Sequence, residues 1–188
     1  MIKKRQKYQE GIIVRIELTN IDTIAFGRIF RGQTIGLFDF FIKGKTELPS
    51  VEELIEKKLI FFVTIFKQVI TTGDFQIIGY KELSIEDNAK VPPQFTQDKV
   101  NIDDCIIFYK DDKIHPKKAK AVDCIGLEIS SVWDSMHIIK RMEDFLLNKP
   151  NYSVEMGKVI LSKEDLRYLP LPNTLKWDSE QGKLYKVS

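Results

Sequence analysis

The segment that most constrains the fold is Gly11–Phe40, because three runs of strand-forming residues follow one another there with only short turns between them. The first run, Gly11–Leu18, alternates apolar residues with others at a period of two, as in a strand with one buried face. Asn20 and Asp22 follow, and both residue types satisfy turns through their own side chains. The next two runs are rich in β-branched and aromatic residues. The pattern predicts a three-stranded meander.

Beyond the meander, the sequence predicts a short helix near 51–57, with Ser50 as its cap and Glu53 at its third position. Continuous apolarity predicts a long, central strand over Leu59–Ile70, and Phe75–Tyr80 would pair back onto it as a second hairpin. Further along, the sequence predicts an ordered loop over Leu83–Lys99, in which Gln94–Gln97 starts a short strand. Strands are expected over Cys105–Lys110, Ala119–Cys124 and Val154–Leu161. A helix is predicted near 131–147, with Ser130 or Ser131 as its cap.

Together these elements predict a mainly β (α+β) fold. The expected architecture is a twisted antiparallel sheet or a partly open barrel, with the two helices packed on it. The chain of 188 residues suits one domain over 1–150 and a C-terminal extension over 151–188 packed on that domain. An apolar fraction of 43% is close to the globular average, so such a domain can bury a substantial core.

Charge and apolar patterning exclude several classes of protein. The formal net charge of +2 gives no overall basic field for nucleic acid. The longest apolar run, Leu59–Phe66, is far too short to span a bilayer, and the first ten residues are charged rather than signal-like. We therefore expect a cytoplasmic protein with reduced thiols, and no membrane partner.

Few residues could support catalysis or bind a metal ion. The candidates are Cys105, Cys124, His115 and His137, and they lack the paired spacing of a zinc site. Each cysteine is followed by isoleucine, which favours a small apolar role in a strand over that of a nucleophile. The adjacent carboxylates flank turns and are expected to be solvated. Catalytic pairs of acids usually need partial burial to separate their pKa values, so that one acts as the acid and the other as the base. We expect no catalytic residue, no metal and no cofactor.

Three other side chains are predicted to be structural. Arg28 interrupts an apolar strand and either points to solvent, the favoured interpretation, or forms a charge-assisted fork with a carboxylate. Trp133 and Arg141 are eight residues apart, about two helical turns, so the sequence predicts that they share a helix face. Trp133 would then help to seal the helix onto the sheet.

Taken in order, several segments resemble the immunity protein 26 family of bacterial polymorphic toxin systems. The resemblance covers roughly Lys7 to Leu147. The segments that carry it are Gly11–Ile16 (GIIVRI), Ala25–Ile29 (AFGRI), Leu48–Ile65 (LPSVEELIEKKLIFFVTI), Gly73–Gly79 (GDFQIIG), Pro92–Asp98 (PPQFTQD), and Cys124–Glu128 (CIGLE) followed by Val132, Trp133 and a helix with Arg141. The family pattern commonly has tryptophan where this chain has Phe75, which is a departure.

The resemblance implies a mostly β, non-enzymatic antidote that binds the toxin encoded beside it in the cytoplasm. It assigns no contact residues and no oligomeric state. Recognition is commonly carried by loops on a rigid sheet, so we expect the mixed-charge loop from Leu83 to Lys120 to form the contact surface. Its acidic residues would suit a basic nuclease toxin, and they are Asp87, Asp98, Asp103, Asp104, Asp111 and Asp112.

Two alternatives belong to other classes of protein. A small β-barrel that binds or processes RNA would use Lys3–Lys7, Arg28, Arg31 and Lys117–Lys120 as contacts. An enzyme would use Cys105 or Cys124 as its nucleophile. Salt-dependent oligonucleotide binding distinguishes the first alternative, and thiol reactivity in the native protein distinguishes the second.

Overall fold

The computed structural model describes residues 5–44, 47–109, 116–163, 165, 175–178 and 183–186. The chain divides into two compact units. The first unit comprises Met1–Val91 and Ser131–Asn151, and the second comprises Pro92–Ser130 and Tyr152–Ser188. The assignment of a domain to 1–150 and an extension to 151–188 stays a prediction.

The first unit is built on one six-stranded sheet. In spatial order its strands are β10 (Val132–Trp133), β4 (Leu59–Ile65), β3 (Thr34–Lys43), β2 (Thr23–Phe30), β1 (Ile12–Leu18) and β5 (Gln76–Tyr80). All neighbours are antiparallel except β10 and β4, which run parallel. The predicted meander is therefore confirmed as the centre of this sheet.

Helices cover both faces of the sheet. Ser50 caps α1 (Val51–Ile55) by accepting a hydrogen bond from the backbone N–H of Glu53 at 3.1 Å, as the sequence predicts. Leu54 of α1 packs with Phe38 of β3 on one face. Side chains alternate along a strand, so Phe41 lies on the other face, where it contacts Phe145 of α4 (Ser135–Leu146).

Because helices cover both faces of the sheet, consecutive residues in its middle strands are buried, and apolar and polar residues do not alternate there. Ile12, Ile13 and Val14 are consecutive in β1 and all are buried, although they point to opposite faces. Phe26 and Phe38 are also fully buried. Truncating either ring to alanine would cost about 3–5 kcal/mol, the usual range for a buried aromatic residue.

The predicted hairpin over Leu59–Tyr80 is wrong. β4 ends at Ile65, and a short helix, α2 (Gln68–Thr71), follows it. β5 then crosses to the opposite end of the sheet and pairs with β1, with Ile12 opposite Tyr80. Both sides of β4 are already taken by β3 and β10, so no edge of β4 is left for β5.

The predicted helix near 131–147 begins later than expected. Val132 and Trp133 extend the sheet as β10, and Asp134 is the N-cap of α4, accepting from the backbone N–H of His137 at 2.9 Å. The expectation of Ser130 or Ser131 as the cap is wrong. Val132 and Trp133 lie between these serines and the helix, and their parallel pairing with β4 keeps the backbone extended there.

The second unit contains a separate four-stranded sheet. Its strands, in spatial order, are β8 (Lys117–Ala119), β7 (Cys105–Phe108), β6 (Gln94–Gln97) and β9 (Glu128–Ile129). β6 and β9 are parallel and the other neighbours are antiparallel. The loop expected before Gln94 contains one helix of the first unit, α3 (Ile85–Ala89). Both sheets are mixed and neither closes into a barrel, so the mainly β class is confirmed.

Two strand predictions in the second unit are wrong. Residues 121–124 form a 3₁₀ turn, in which Cys124 faces the core, rather than the end of a strand. The expected strand over Val154–Leu161 is replaced by α5 (Tyr152–Met156) and an irregular segment. The side chain of Gln97 bonds both the backbone N–H and the carbonyl of Ile160, satisfying groups that a neighbouring strand would otherwise take. A last antiparallel pair joins β11 (Leu175–Asp178) and β12 (Lys183–Lys186).

Candidate functional site

Arg28 lies inside the first unit rather than in solvent. Its side chain is 5% exposed, and its Nη2 atom lies 3.1 Å from Oδ2 of Asp87. The same nitrogen donates to the backbone carbonyls of Lys81 and Glu82 at 3.2 and 3.0 Å. The solvent interpretation of Arg28 is therefore wrong. The carboxylate partner comes from α3 rather than from a neighbouring strand. Arg28, which is in β2, therefore holds α3 and the residues just before it against the sheet.

Asp87 is held from several sides at once. Its carboxylate accepts from the backbone N–H of Ser84, and the hydroxyl of Ser84 accepts from the backbone N–H of Asp87, which together form a capping box. Burial favours the neutral acid and raises the pKa of Asp87. The Ser84 hydrogen bond, Arg28 and Lys90 outweigh burial, so the pKa lies below its usual value. Asp87 is ionised and serves to order α3.

The other predicted acidic residues belong to the second unit. The carboxylate of Asp98 accepts from the backbone N–H groups of Asn101 and Val100 at 2.8 and 2.7 Å, and these bonds lower its pKa. The backbone N–H of Asp98 donates to the carbonyl of Asp104 at 3.0 Å, which brings these two residues together. Asp103 and Asp104 are exposed. Asp111 and Asp112 lie outside the described residues, and the toxin-contact role of all six stays a prediction.

An arginine and four aromatic rings join α4 to the sheet. The Arg141 guanidinium lies 4.1 Å from the ring centre of Phe61 and 5.3 Å from that of Trp133, close enough for cation–π attraction to both. Phe145 packs edge-on against Phe61 at 5.1 Å and also contacts Phe41. Trp133 and Arg141 are in contact and buried, but they do not share a helix face, because Trp133 is in β10.

Sequence reasoning missed Glu143, a buried carboxylate on α4. It accepts hydrogen bonds from the backbone N–H of Asn20 at 3.2 Å and from its side-chain amide at 2.7 and 3.0 Å. Asn20 was expected to satisfy its own turn, but its amide reaches across to the helix instead. No local pattern marks Glu143, because its partner is 123 residues away.

Both candidate cysteines are buried in the core of the second unit. Burial raises the pKa of both thiols, that of Cys124 to about 12, so neither cysteine forms a reactive thiolate at neutral pH. The largely exposed His137 has Nδ1 2.9 Å from the Asp134 carboxylate. His115 lies outside the described residues. Within the part of the chain that the structure describes, no three or more Cys, His, Asp or Glu side chains are grouped to hold a metal ion.

These placements also bear on the expected contacts of an RNA-binding protein. Arg28, one of those contacts, has its charge buried against Asp87 and two carbonyls, so it cannot face a phosphate backbone. Among the described residues, no helix has the length and apolarity that crossing a membrane requires.

Comparison with protein-family models gives a match. A family model described as immunity protein 26 matches residues 9–106, slightly more than half of the chain. No significant match was found among curated proteins or among solved structures. The matched residues include Arg28 and Asp87, whereas Trp133, Arg141 and the rest of α4 follow the matched segment.

Proposed function

Because the chain belongs to the immunity protein 26 family, we propose that it neutralises a cognate polymorphic toxin in the bacterial cytoplasm. It binds the toxin as a protein inhibitor, without chemistry of its own, and blocks it by steric occlusion. The family match carries this proposal. The structure supports it with a scaffold in which Arg28, Asp87 and Glu143 hold neighbouring segments in order.

Tight inhibitors act through rigid surfaces, since little conformational entropy is then lost on binding. Arg28 fastens α3 through an ion pair and two carbonyl bonds, and Glu143 fastens the turn at Asn20. A complex of ordinary size would bury about 1,600 Å² in total. Both units offer ordered turns and caps of the kind that such a surface needs.

The acidic residues favour a basic toxin surface. Asp103 and Asp104 are exposed next to the Asp98 turn, so their carboxylates can face a partner. Asp87 contributes mainly by holding α3 in place, because its carboxylate faces Arg28. Charges of this kind set specificity and association rate more than total affinity.

Co-expression with the toxin encoded beside this gene tests the proposal. We expect cells that die from the toxin alone to grow when the protein is present, and the purified pair to form a complex. Steric occlusion further predicts that added toxin substrate competes with the protein, which raises its apparent inhibition constant. Death of cells in which both proteins are soluble and abundant would rule the function out.

A further inference from the structure

The strand at one end of the sheet of the first unit, β5, is closed off by a glutamine that lies outside the sheet. Ile77 of β5 donates its backbone N–H to Oε1 of Gln6 at 2.8 Å. Nε2 of the same side chain donates to the backbone carbonyls of Phe75 and Ile70 at 2.7 and 2.9 Å. One side chain therefore satisfies three backbone groups, as a neighbouring strand would do.

The segment that carries Gln6 is anchored beside α2. The backbone N–H of Gln6 donates to the carbonyl of Thr71, the last residue of α2, at 3.2 Å. Two residues later, the ring of the half-buried Tyr8 lies 5.3 Å from Nζ of Lys67, which is the N-cap of α2. Because these contacts hold the segment against α2, the Gln6 side chain reaches β5 from a fixed position.

The sequence of β5 lacks the features that usually protect an edge strand. Among the strands that the structure describes, none pairs with the outer side of β5. Its residues, Gln76–Tyr80 (QIIGY), include neither a charged residue nor a proline, and each is exposed or half-buried. Natural sheets commonly protect an edge with lysine, proline or a covering segment, because an open edge can pair with another chain. In β5 that protection comes from Gln6.

The chemistry of β5 suits a second copy of the same strand. Two antiparallel strands related by a two-fold axis present the same groups to each other, so the contact closes after two chains. Because β5 is uncharged, no like charges of the strand meet when it faces itself. Its apolar side chains can form cross-strand pairs with their copies, and they are Ile77, Ile78 and Tyr80. An uncharged edge also offers no charge complementarity that would select a different partner.

We propose that the outer edge of β5 is a pairing surface for a second copy of this chain, and that the Gln6 side chain blocks this surface. With Gln6 in place, an incoming strand must break its bond to Ile77 before it can pair there. Once the amide of Gln6 is removed, the Ile77 N–H donates to the second chain, and two six-stranded sheets join edge to edge through β5. This inference does not depend on the toxin or on the proposed function.

The test uses Gln6→Met in the full-length protein. Methionine is similar in length to glutamine but has no amide, so the side chain keeps its packing and loses its bonds to the backbone around β5. Gln6→Ala is a second variant, which also shortens the side chain. Gln9→Met is the matched control, because Gln9 is an exposed glutamine of the same segment. Sedimentation equilibrium measures the dissociation constant of the dimer, and circular dichroism checks that each variant is folded.

We expect both Gln6 variants to lower the dissociation constant of the dimer by about 10- to 100-fold relative to the wild type. This range corresponds to the net contribution of about one to three hydrogen bonds that pairing must otherwise break. Gln9→Met should leave the constant unchanged. If the folded Gln6 variants self-associate no more strongly than Gln9→Met, the edge of β5 does not take a second copy and the proposal is overturned.

Amide hydrogen exchange locates the contact and also tests the wild type by itself. In dilute wild-type protein the Ile77 amide should be protected, because Gln6 accepts from it. In dilute Gln6→Met this amide should exchange faster, and protection should return across residues 76–80 at concentrations at which the variant is dimeric. An unprotected Ile77 amide in the wild type would overturn the proposal even if the variants fail to fold. A dimer that leaves residues 76–80 unprotected would overturn it as well.

Discussion

Asp87→Asn tests whether the buried pair with Arg28 holds α3 on the sheet. The asparagine side chain keeps the shape of the original and can still accept from the backbone N–H of Ser84, so the capping interaction survives. What is removed is the negative charge 3.1 Å from Nη2 of Arg28. The arginine keeps neutral oxygen acceptors, namely the amide oxygen of the asparagine and the backbone carbonyls of Lys81 and Glu82, but its buried charge has lost its ion-pair partner.

The expected loss of unfolding free energy is about 2–3 kcal/mol. Removing one partner of a fully buried pair costs about 3–5 kcal/mol. The value here should be lower, because Asp87 is 18% exposed and Arg28 keeps its bonds to the two carbonyls. It should still exceed a neutral hydrogen bond, which contributes only about 1 kcal/mol. Asp98→Asn is the control and should leave the free energy of unfolding close to that of the wild type, since asparagine also supports that turn.

Urea unfolding followed by far-UV circular dichroism measures the free energies, and amide hydrogen exchange over residues 84–90 measures the local release of α3. A double-mutant cycle with Arg28→Met should give a coupling energy of about 1–2 kcal/mol, because methionine removes the unpaired charge that the single variant leaves behind. If Asp87→Asn is no less stable than Asp98→Asn, and exchange in α3 is unchanged, the reasoning about this pair is refuted.

Three further outcomes are expected. The pKa of Asp87 is lower in the folded protein than in the unfolded chain, where it is about 3.9. The ionised carboxylate therefore contributes fully to the free energy of unfolding above that unfolded pKa, and the contribution is lost as the pH falls through the folded pKa. Measured in urea unfolding, the difference in stability between wild type and Asp87→Asn should shrink on acidification. Cys105 and Cys124 should resist Ellman's reagent at pH 8, and both should react in denaturant; rapid native labelling would contradict their burial. Gly11 has φ +88°, and a Cβ added there would lie 2.5 Å from the carbonyl oxygen of Lys81, whereas Gly44, at φ +67°, has open space around it. Gly11→Ala should therefore lower the free energy of urea unfolding by about 1–3 kcal/mol more than Gly44→Ala does. Equal losses would mean that the chain relaxes around the new methyl group.

The sequence alone determined the features that depend on neighbouring residues. The meander within Gly11–Phe40 and the helix capped by Ser50 were predicted correctly, because period-two patterning and capping act over a few positions. The burial of both cysteines also followed from their apolar neighbours. The family resemblance rests on the same local segments, and it was confirmed over residues 9–106.

Tertiary structure decided which distant segments meet. The position of β5 beside β1, rather than beside β4, depends on which strand edges remain free, and no local pattern records that. Arg28 has the same sequence context whether it faces solvent or a carboxylate, and only the return of α3 over the sheet selects Asp87 as its partner. Glu143 and Asn20 meet across 123 residues for the same reason. Short-range periodicity fixes the form of each element, whereas the pairing of edges and buried charges is set by the free energy of the whole packed unit.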